Sequence, residues 1–211
     1  MSFKNESSRW IKRILVGNRG LSAHKFLMSL REMMTEQRID IEIFGISTPD
    51  DIKSRFKYIN LLDNVIYCEN NNVYTNKQKL IDMCKQHYIE AFWPGWGYLS
   101  EDYDFVKMLE ENGITFIGPS SDSIYALGNK IKCMEYADSL DLPILPWGKV
   151  APTDDFETSH KPLIDKIGFP LIVKDPDNGG GKGIYIVNDE EEYISNLYHF
   201  KIKNIPEIIL M

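Results

Sequence analysis

The sequence predicts an α/β fold whose larger part is a doubly wound parallel sheet. Two observations predict it: short apolar runs alternate with segments of helical period, and the runs end in glycine or proline, where connections begin. A third, a pair of β-branched runs flanking a glycine-rich stretch, marks a different kind of unit further along.

The first apolar run, Arg13-Ile-Leu-Val-Gly17, leads through Asn-Arg-Gly20 into residues 22–34, whose apolar positions repeat at helical spacing. Ile41-Glu-Ile-Phe-Gly-Ile46 reads as a second strand. Thr48-Pro-Asp-Asp51 then supplies an N-cap, a proline and acids, the signature of a helix start, and a helix is expected over residues 52–62. Val65-Ile-Tyr67 is a short third strand, and asparagines 70–72 read as loop filler before a helix over residues 76–87. Glu90-Ala-Phe-Trp93 is a fourth strand ending in Pro94-Gly95-Trp96-Gly97. A helix over residues 105–112 stops at Gly113, suited to the position just past a helix end. Ile114-Thr-Phe-Ile117 is a fifth strand, and residues 121–127 and 131–140 are helical around Gly128-Asn-Lys130. In such sheets ligands meet the carboxyl ends of the strands.

Prolines 143 and 146 and the polar segment 151–158 place a linker at residues 143–156. A short helix over residues 162–167 follows, then Leu171-Ile-Val-Lys174 and Ile184-Tyr-Ile-Val187 as the arms of a hairpin. Its connection contains Asn178-Gly-Gly-Gly-Lys-Gly183. Glycines let backbone N–H groups close on an anion, so three in a row followed by lysine suit a lid over polyphosphate. The pattern is not a Walker A loop, which needs Lys-Ser or Lys-Thr running into a helix. A helix over residues 190–200 and the apolar run Ile208-Ile-Leu-Met211 complete the chain. A unit of one hairpin, one helix and a cut strand lacks partners for its open edge, so the sequence reads as incomplete.

Composition narrows the class of partner. The chain has 211 residues, 43% hydrophobic and 26% charged, with a formal net charge of -7. No basic surplus exists to attract nucleic acid, so a nucleotide would depend on local lysines and backbone amides. Lys130, Lys174 and Lys182 are the candidates. Cys68, Cys84 and Cys133 are widely spaced and form no C-x-x-C pair, which disfavours a disulfide framework or a zinc site. His24, His87, His160 and His199 lack metal-ligand spacing, and no metal is assigned to them. No apolar run is long enough for a membrane span and the N-terminus lacks a secretory apolar region, so the expected compartment is the cytoplasm.

Five motifs in order carry a family resemblance: Ile14-Leu-Val-Gly-Asn-Arg-Gly20, Trp93-Pro-Gly-Trp-Gly-Tyr-Leu-Ser-Glu101, Gly113-Ile-Thr-Phe-Ile-Gly-Pro-Ser120, Gly128-Asn-Lys130, and Gly168-Phe-Pro-Leu-Ile-Val-Lys174 with its glycine stretch. Together they resemble the biotin carboxylase component of biotin-dependent carboxylases. Ser47-Thr-Pro-Asp-Asp51 with Tyr58-Ile-Asn-Leu-Leu-Asp63, and Trp93-Pro-Gly-Trp-Gly97 together with Leu145-Pro-Trp147, look like the eukaryotic-type multidomain acetyl-CoA carboxylases in particular.

The resemblance implies a tail at residues 1–10 and a Rossmann-like pre-ATP-grasp domain at 11–142. After the linker it implies the start of an ATP-grasp domain at 157–211, incomplete in this chain. It implies a ligase that uses ATP and bicarbonate to form carboxyphosphate and then carboxylates biotin, for malonyl-CoA formation in fatty-acid synthesis. Lys130 and Lys174 correspond to phosphate-contacting lysines. Asn178, Gly179, Gly180, Gly181, Lys182 and Gly183 correspond to the flap over the β- and γ-phosphates, and Met211 to the start of the adenine-contacting hinge. Trp96 and Gly97 would lie near the biotin pocket. No residue of this chain is assigned as catalytic. The family's ligands for Mg2+ (or Mn2+), its bicarbonate site and its biotin-contacting arginine lie beyond residue 211, and biotin is carried on another domain. The implied partners are ATP, bicarbonate, the biotin carrier domain and the remainder of the carboxylase, with a homo-oligomer at full length; the chain alone is expected to be inactive.

The chain departs from the family pattern at named positions. Gly17 replaces the usual alanine, Asn129 the usual aspartate before the lysine, and Asp175-Pro-Asp177 stands where small residues are typical. Tyr185 stands near a usual arginine or methionine, and the insertion typical before Gly168 is short. Carboxylates near a polyphosphate are unfavourable unless they point away or bind metal. Two further readings stay open: another ATP-grasp ligase, such as a carbamoyl-phosphate synthetase or a propionyl-CoA, pyruvate or urea carboxylase, and a truncated non-catalytic protein that binds or regulates.

Overall fold

The structure is a computed structural model that describes residues 10–176, 178 and 183–211. The chain divides into two compact units between Ile124 and Tyr125.

The first unit alternates strands with helical segments. β1 (Arg13–Val16) is followed by α1 (Gly20–Gln37), β2 (Glu42–Ser47), α2 (Pro49–Lys53) and a 3-10 turn (Lys57–Leu61). Next come β3 (Asn64–Tyr67), a second 3-10 turn (Asn71–Thr75), α3 (Lys77–Gln86), β4 (Ala91–Trp93), α4 (Tyr103–Glu111) and β5 (Thr115–Phe116). The division between units falls within α5 (Ser121–Leu127). The sheet runs β3-β2-β1-β4-β5, all parallel, in keeping with the doubly wound parallel sheet the sequence predicts.

Period-two alternation sorts the strand side chains into two cores. Ile14, Val16, Ile43 and Ala91 face one side with Ala23, Leu27 and Leu30 of α1. Leu15, Phe44, Ile46 and Phe92 face the other with Leu80, Phe105 and Leu109. Such two-sided burial explains why these strands read as continuous apolar runs. Caps fix the helix starts: the Asn76 and Asp102 side chains accept from the backbone of Lys79 and Phe105 at 3.0 and 2.9 Å.

Two local expectations change. The helix expected over residues 52–62 stops at Lys53, because Arg55 takes a left-handed φ of 52°, and a 3-10 turn follows. The asparagines at 70–72 are not filler. Asn70 caps the second 3-10 turn, and Asn71 joins Thr48 at 2.8 Å and Asp50 at 2.6 Å, bracing the start of α2.

The second unit contains α6 (Lys130–Ser139), β6 (Gly148–Val150), a π-helical turn (Phe156–His160), α7 (Lys161–Ile167), β7 (Leu171–Lys174), β8 (Ile184–Val187), α8 (Glu190–Ile202) and β9 (Ile208–Leu210). Its sheet is antiparallel in the order β6-β9-β7-β8. The segment expected to be a linker therefore contains a strand. The apolar run near residue 210, read as a cut strand, pairs with β6 on one side and β7 on the other. One face of this sheet, Leu171, Val173, Val187, Ile208 and Leu210, packs on Ile164 of α7 and Tyr193, Leu197 and Phe200 of α8. Lys174 and Ile209, paired in register, belong to the opposite face.

Candidate functional site

Asn129 sets the start of α6. Its side-chain oxygen accepts from the N–H groups of Ile131 and Lys132 at 3.0 and 3.1 Å, so asparagine serves as the cap where the family usually has aspartate. Lys130 is then the first helical residue, and Cys133 and Met134 lie three and four positions on, along the same helix face. From the sheet, β7 delivers Lys174, β9 delivers Ile209, and Met211 follows. Leu127, Lys130, Cys133, Met134, Lys174, Ile209 and Met211 line a cavity of about 200 Å³.

The cavity is mostly apolar, with two ammonium groups among its lining residues. Lys174 Nζ donates to Met211 Sδ at 2.8 Å, a weak acceptor for a full positive charge. Met211 is held by its backbone, which exchanges hydrogen bonds with Ile172 at 2.7 and 3.0 Å and so extends the β7–β9 pairing. Lys130 Nζ donates to the carbonyls of Pro176 and Asn178, each at 2.7 Å. An apolar slot with a few convergent polar groups is the usual form of a small-molecule site, though this one is small among such sites.

The ends of the β7–β8 connection are also fixed. Asp175 is 3% exposed and accepts a hydrogen bond from the Asn178 side chain. Its own N–H donates to the Gly183 carbonyl at 2.9 Å. Gly183 has φ +73°, and a Cβ there would stand 2.9 Å from Asp175 Cβ, so glycine is required on two counts. The carboxylate of Asp175 thus braces the hairpin, and Asp177, the other acid of the pair, lies outside the described residues.

The structure therefore brings Lys130, Lys174 and Met211 to one cavity, and Asn178 and Gly183 to the base of the hairpin. Gly179, Gly180, Gly181 and Lys182 lie outside the described residues. Sequence reasoning did not single out Leu127, Cys133, Met134 or Ile209. For Cys133 and Met134 the signal was available, since their spacing from Lys130 places them on its helix face. Among the described residues, no three His, Cys, Asp or Glu side chains converge to hold a metal ion, and no helix is long and apolar enough to cross a membrane.

In the first unit, the carboxyl ends of β1 and β4 meet at the point where the strand order reverses. Asn18 donates there to the carbonyls of Pro94 and Trp96 at 2.7 and 2.9 Å. Trp96 itself is 86% exposed, and Gly97 has open space around it.

Comparison with known proteins agrees with this division. Residues 10–124 match the family described as biotin carboxylase, N-terminal domain, and residues 129–202 match that described as carbamoyl-phosphate synthase L chain, ATP binding domain. Acetyl-CoA carboxylase 2 of Arabidopsis thaliana is 32% identical over 209 residues, covering 87% of this chain and 9% of the relative. Acetyl-CoA carboxylase of Saccharomyces cerevisiae is 32% identical over 226 residues, covering 93% and 10%. The chain thus spans about a tenth of the length of these curated relatives. Among solved structures, the biotin carboxylase domain dimer of Hydrogenobacter thermophilus 2-oxoglutarate carboxylase, in complex with ADP, magnesium and bicarbonate, superposes with a TM-score of 0.79. It is 28% identical, with 95% of this chain and 44% of that one covered. A Campylobacter jejuni biotin carboxylase bound to an ATP ligand gives 0.80 at 25% identity, covering 95% and 45%.

Proposed function

Because the chain belongs to the biotin carboxylase N-terminal domain family, we propose that its units contribute the pre-ATP-grasp and nucleotide-binding parts of a biotin carboxylase of acetyl-CoA carboxylase type. The proposed activity is ATP- and bicarbonate-dependent carboxylation of biotin for malonyl-CoA formation, in the cytoplasm. Biotin would arrive on a carrier domain elsewhere in the enzyme, and the working form would be a homo-oligomer. Identity of 32% to plant and yeast acetyl-CoA carboxylases, against 28% to a 2-oxoglutarate carboxylase, favours the acetyl-CoA type.

The observation that carries the reading is the convergence of Lys130, Lys174 and Met211 on one mostly apolar cavity at the base of a glycine-rich hairpin. The donor set fits ATP. Leu127, Met134 and Ile209 offer apolar surface to a base, and the two ammonium groups offer charge to phosphate oxygens, with the described acceptor of Lys174 a weak one. Bound ATP supplies the phosphoryl group. The residues of this chain hold and orient it, through charge and position rather than covalent chemistry. The chain's net charge of -7 makes those local cations and an accompanying Mg2+ more important, since the global field opposes a polyphosphate.

Calorimetric titration of the 211-residue chain with ATP and Mg2+ tests the proposal. Saturable binding is expected, weakened about tenfold or more in Lys174→Ala, with Lys174→Met, which keeps the apolar stem, weakened alike. Absence of saturable binding to the wild-type chain, or equal binding by folded variants, would overturn it.

A further inference from the structure

α8 is apolar on two faces, where a surface helix ordinarily has one. Tyr193, Leu197 and Phe200 pack on the sheet of the second unit. Ile194, Tyr198 and Ile202, spaced four residues apart and so stacked one above another, form a second stripe that is 49%, 64% and 61% exposed. Helix propensity does not call for this stripe, since β-branched and aromatic residues form helix less readily than the long polar residues usual on a wet face.

Charge frames the stripe. Of the three acids in the first turn, Glu190 reaches Lys161 at 3.3 Å and Glu192 accepts from the Asn188 backbone and side chain at 2.8 and 3.0 Å. Glu191 makes no ion pair or hydrogen bond among the described residues. It stands three positions before Ile194, and Lys201, a base of the last turn, stands three after Tyr198, so both border the exposed stripe. Acids at a helix start and bases at its end also suit the helix dipole, but the dipole leaves the apolar stripe between them unexplained.

We propose that this face of α8 is an interface with a second copy of the chain, the two helices lying antiparallel. A two-fold axis at the level of residue 196 sets Glu191 opposite the partner's Lys201 and Ile194 opposite the partner's Tyr198, and symmetry makes each contact twice. Parallel helices would instead set acid against acid and base against base, so the face complements itself in one direction only. The apolar stripe supplies most of the attraction, while the exposed ion pairs add little strength and fix the direction. A helix of 13 residues is about 20 Å long, and pairing one face of it with a copy buries less than the roughly 1,200 Å² of a standard stable interface. The association is therefore weak and reversible. None of these residues lines the cavity, so the inference stands apart from the nucleotide reading.

Sedimentation velocity of the 211-residue chain over a concentration series tests it. Reversible dimerisation with a dissociation constant of about 10 μM or weaker is expected. Glu191→Lys and Lys201→Glu, each checked for folding by circular dichroism, should weaken it about tenfold or more by setting like charges together. The double variant should recover most of the association, because it restores opposite charges in exchanged order. Tyr198→Ser should also weaken it about tenfold, as the largest side chain of the stripe leaves the contact. A wild type still monomeric at about 1 mM overturns a second copy as the occupant of this face. Dimerisation that every variant retains overturns α8 as the contact. Loss in both single charge variants without recovery in the double overturns the antiparallel arrangement.

Discussion

Arg19 Nε lies 2.6 Å from Asp51 Oδ1, so the turn after β1 is tied to the first turn of α2 across the ends of two neighbouring strands. Asp51 is fully buried, and its other oxygen accepts from the Thr48 backbone and hydroxyl at 2.8 Å each and from the Tyr74 hydroxyl at 3.3 Å. The guanidinium rests over the rings of Phe56 and Tyr74, 5.4 and 5.9 Å from their centroids. A carboxylate this far from water is tolerated because charge and hydrogen bonds surround it.

Removing that carboxylate leaves Arg19, Thr48 and Tyr74 without their shared partner. Asp51→Ala is expected to destabilise the first unit by about 3 kcal/mol, and Arg19→Ala by a comparable amount because it leaves the buried Asp51 charge uncompensated. Urea unfolding followed by tryptophan fluorescence measures both. A loss below about 0.5 kcal/mol for Asp51→Ala would show that water replaces the partners without cost.

Gly17 departs from the alanine usual in the family, and the reason lies on the next strand. A Cβ at Gly17 would stand 2.0 Å from Phe92 Cζ, so the full phenyl ring fits only beside glycine. Phe92 in turn packs edge-on against Phe105 at 5.0 Å. Gly17→Ala should cost about 2 kcal/mol, and much of that cost should vanish when it is combined with Phe92→Leu. A double-mutant cycle with coupling below about 0.5 kcal/mol would contradict this pairing.

His160 is buried in the second unit with Nδ1 2.6 Å from the Tyr193 hydroxyl, and its Nε2 has no hydrogen-bond partner among the described residues. Burial pushes its pKa below the ordinary imidazole value, outweighing the nearby Asp154. The native state therefore holds His160 neutral while the unfolded chain takes up the proton first. Its contribution to stability is full above about pH 6.5 and declines as pH falls from there toward the lowered native value. Urea midpoints at about pH 7.5 and about pH 5.5 should differ more in the wild type than in His160→Gln. Equal slopes would assign the acid sensitivity elsewhere.

At the base of the hairpin, Gly183→Ala meets both an unfavourable φ and the Asp175 side chain. The expected loss is about 1 to 2 kcal/mol of stability in the second unit, with weakened nucleotide binding as the hairpin base shifts. Thermal melting and calorimetry on one preparation check the two effects. An unaltered melting temperature would mean that the turn relaxes without strain.

The parallel sheet was legible because its strands are buried on both faces, so each announces itself as an apolar run in the sequence. β6 was not legible. Gly148-Lys149-Val150 is three residues long, lies near prolines on both sides, and becomes a strand only because Ile208–Leu210 presents an unpaired edge to it. The cavity was half legible. Lys130 and Lys174 stand out by motif, and Met211 by resemblance, whereas Ile209 reads simply as core until the register pairs it with Lys174. The bracing role of Asp175 was not legible, because charge was the one property of it the sequence displayed. Its burial and its bond to Asn178 depend on how the connection turns back, which no periodicity encodes.

The placement of β9 between β6 and β7 also sets an order of events during synthesis. The β7–β8 hairpin is local and can pair as soon as it leaves the ribosome, on a microsecond scale. β6 emerges well before β9, its neighbour among the described residues, and its edge waits. Ile208 and Leu210, wholly buried once in place, are the residues that join the two halves of the sheet. Until they arrive, the nascent second unit shows open strand edges to every other chain nearby. Between the emergence of β8 and that of β9, the edges that β9 later joins stand open to misassembly.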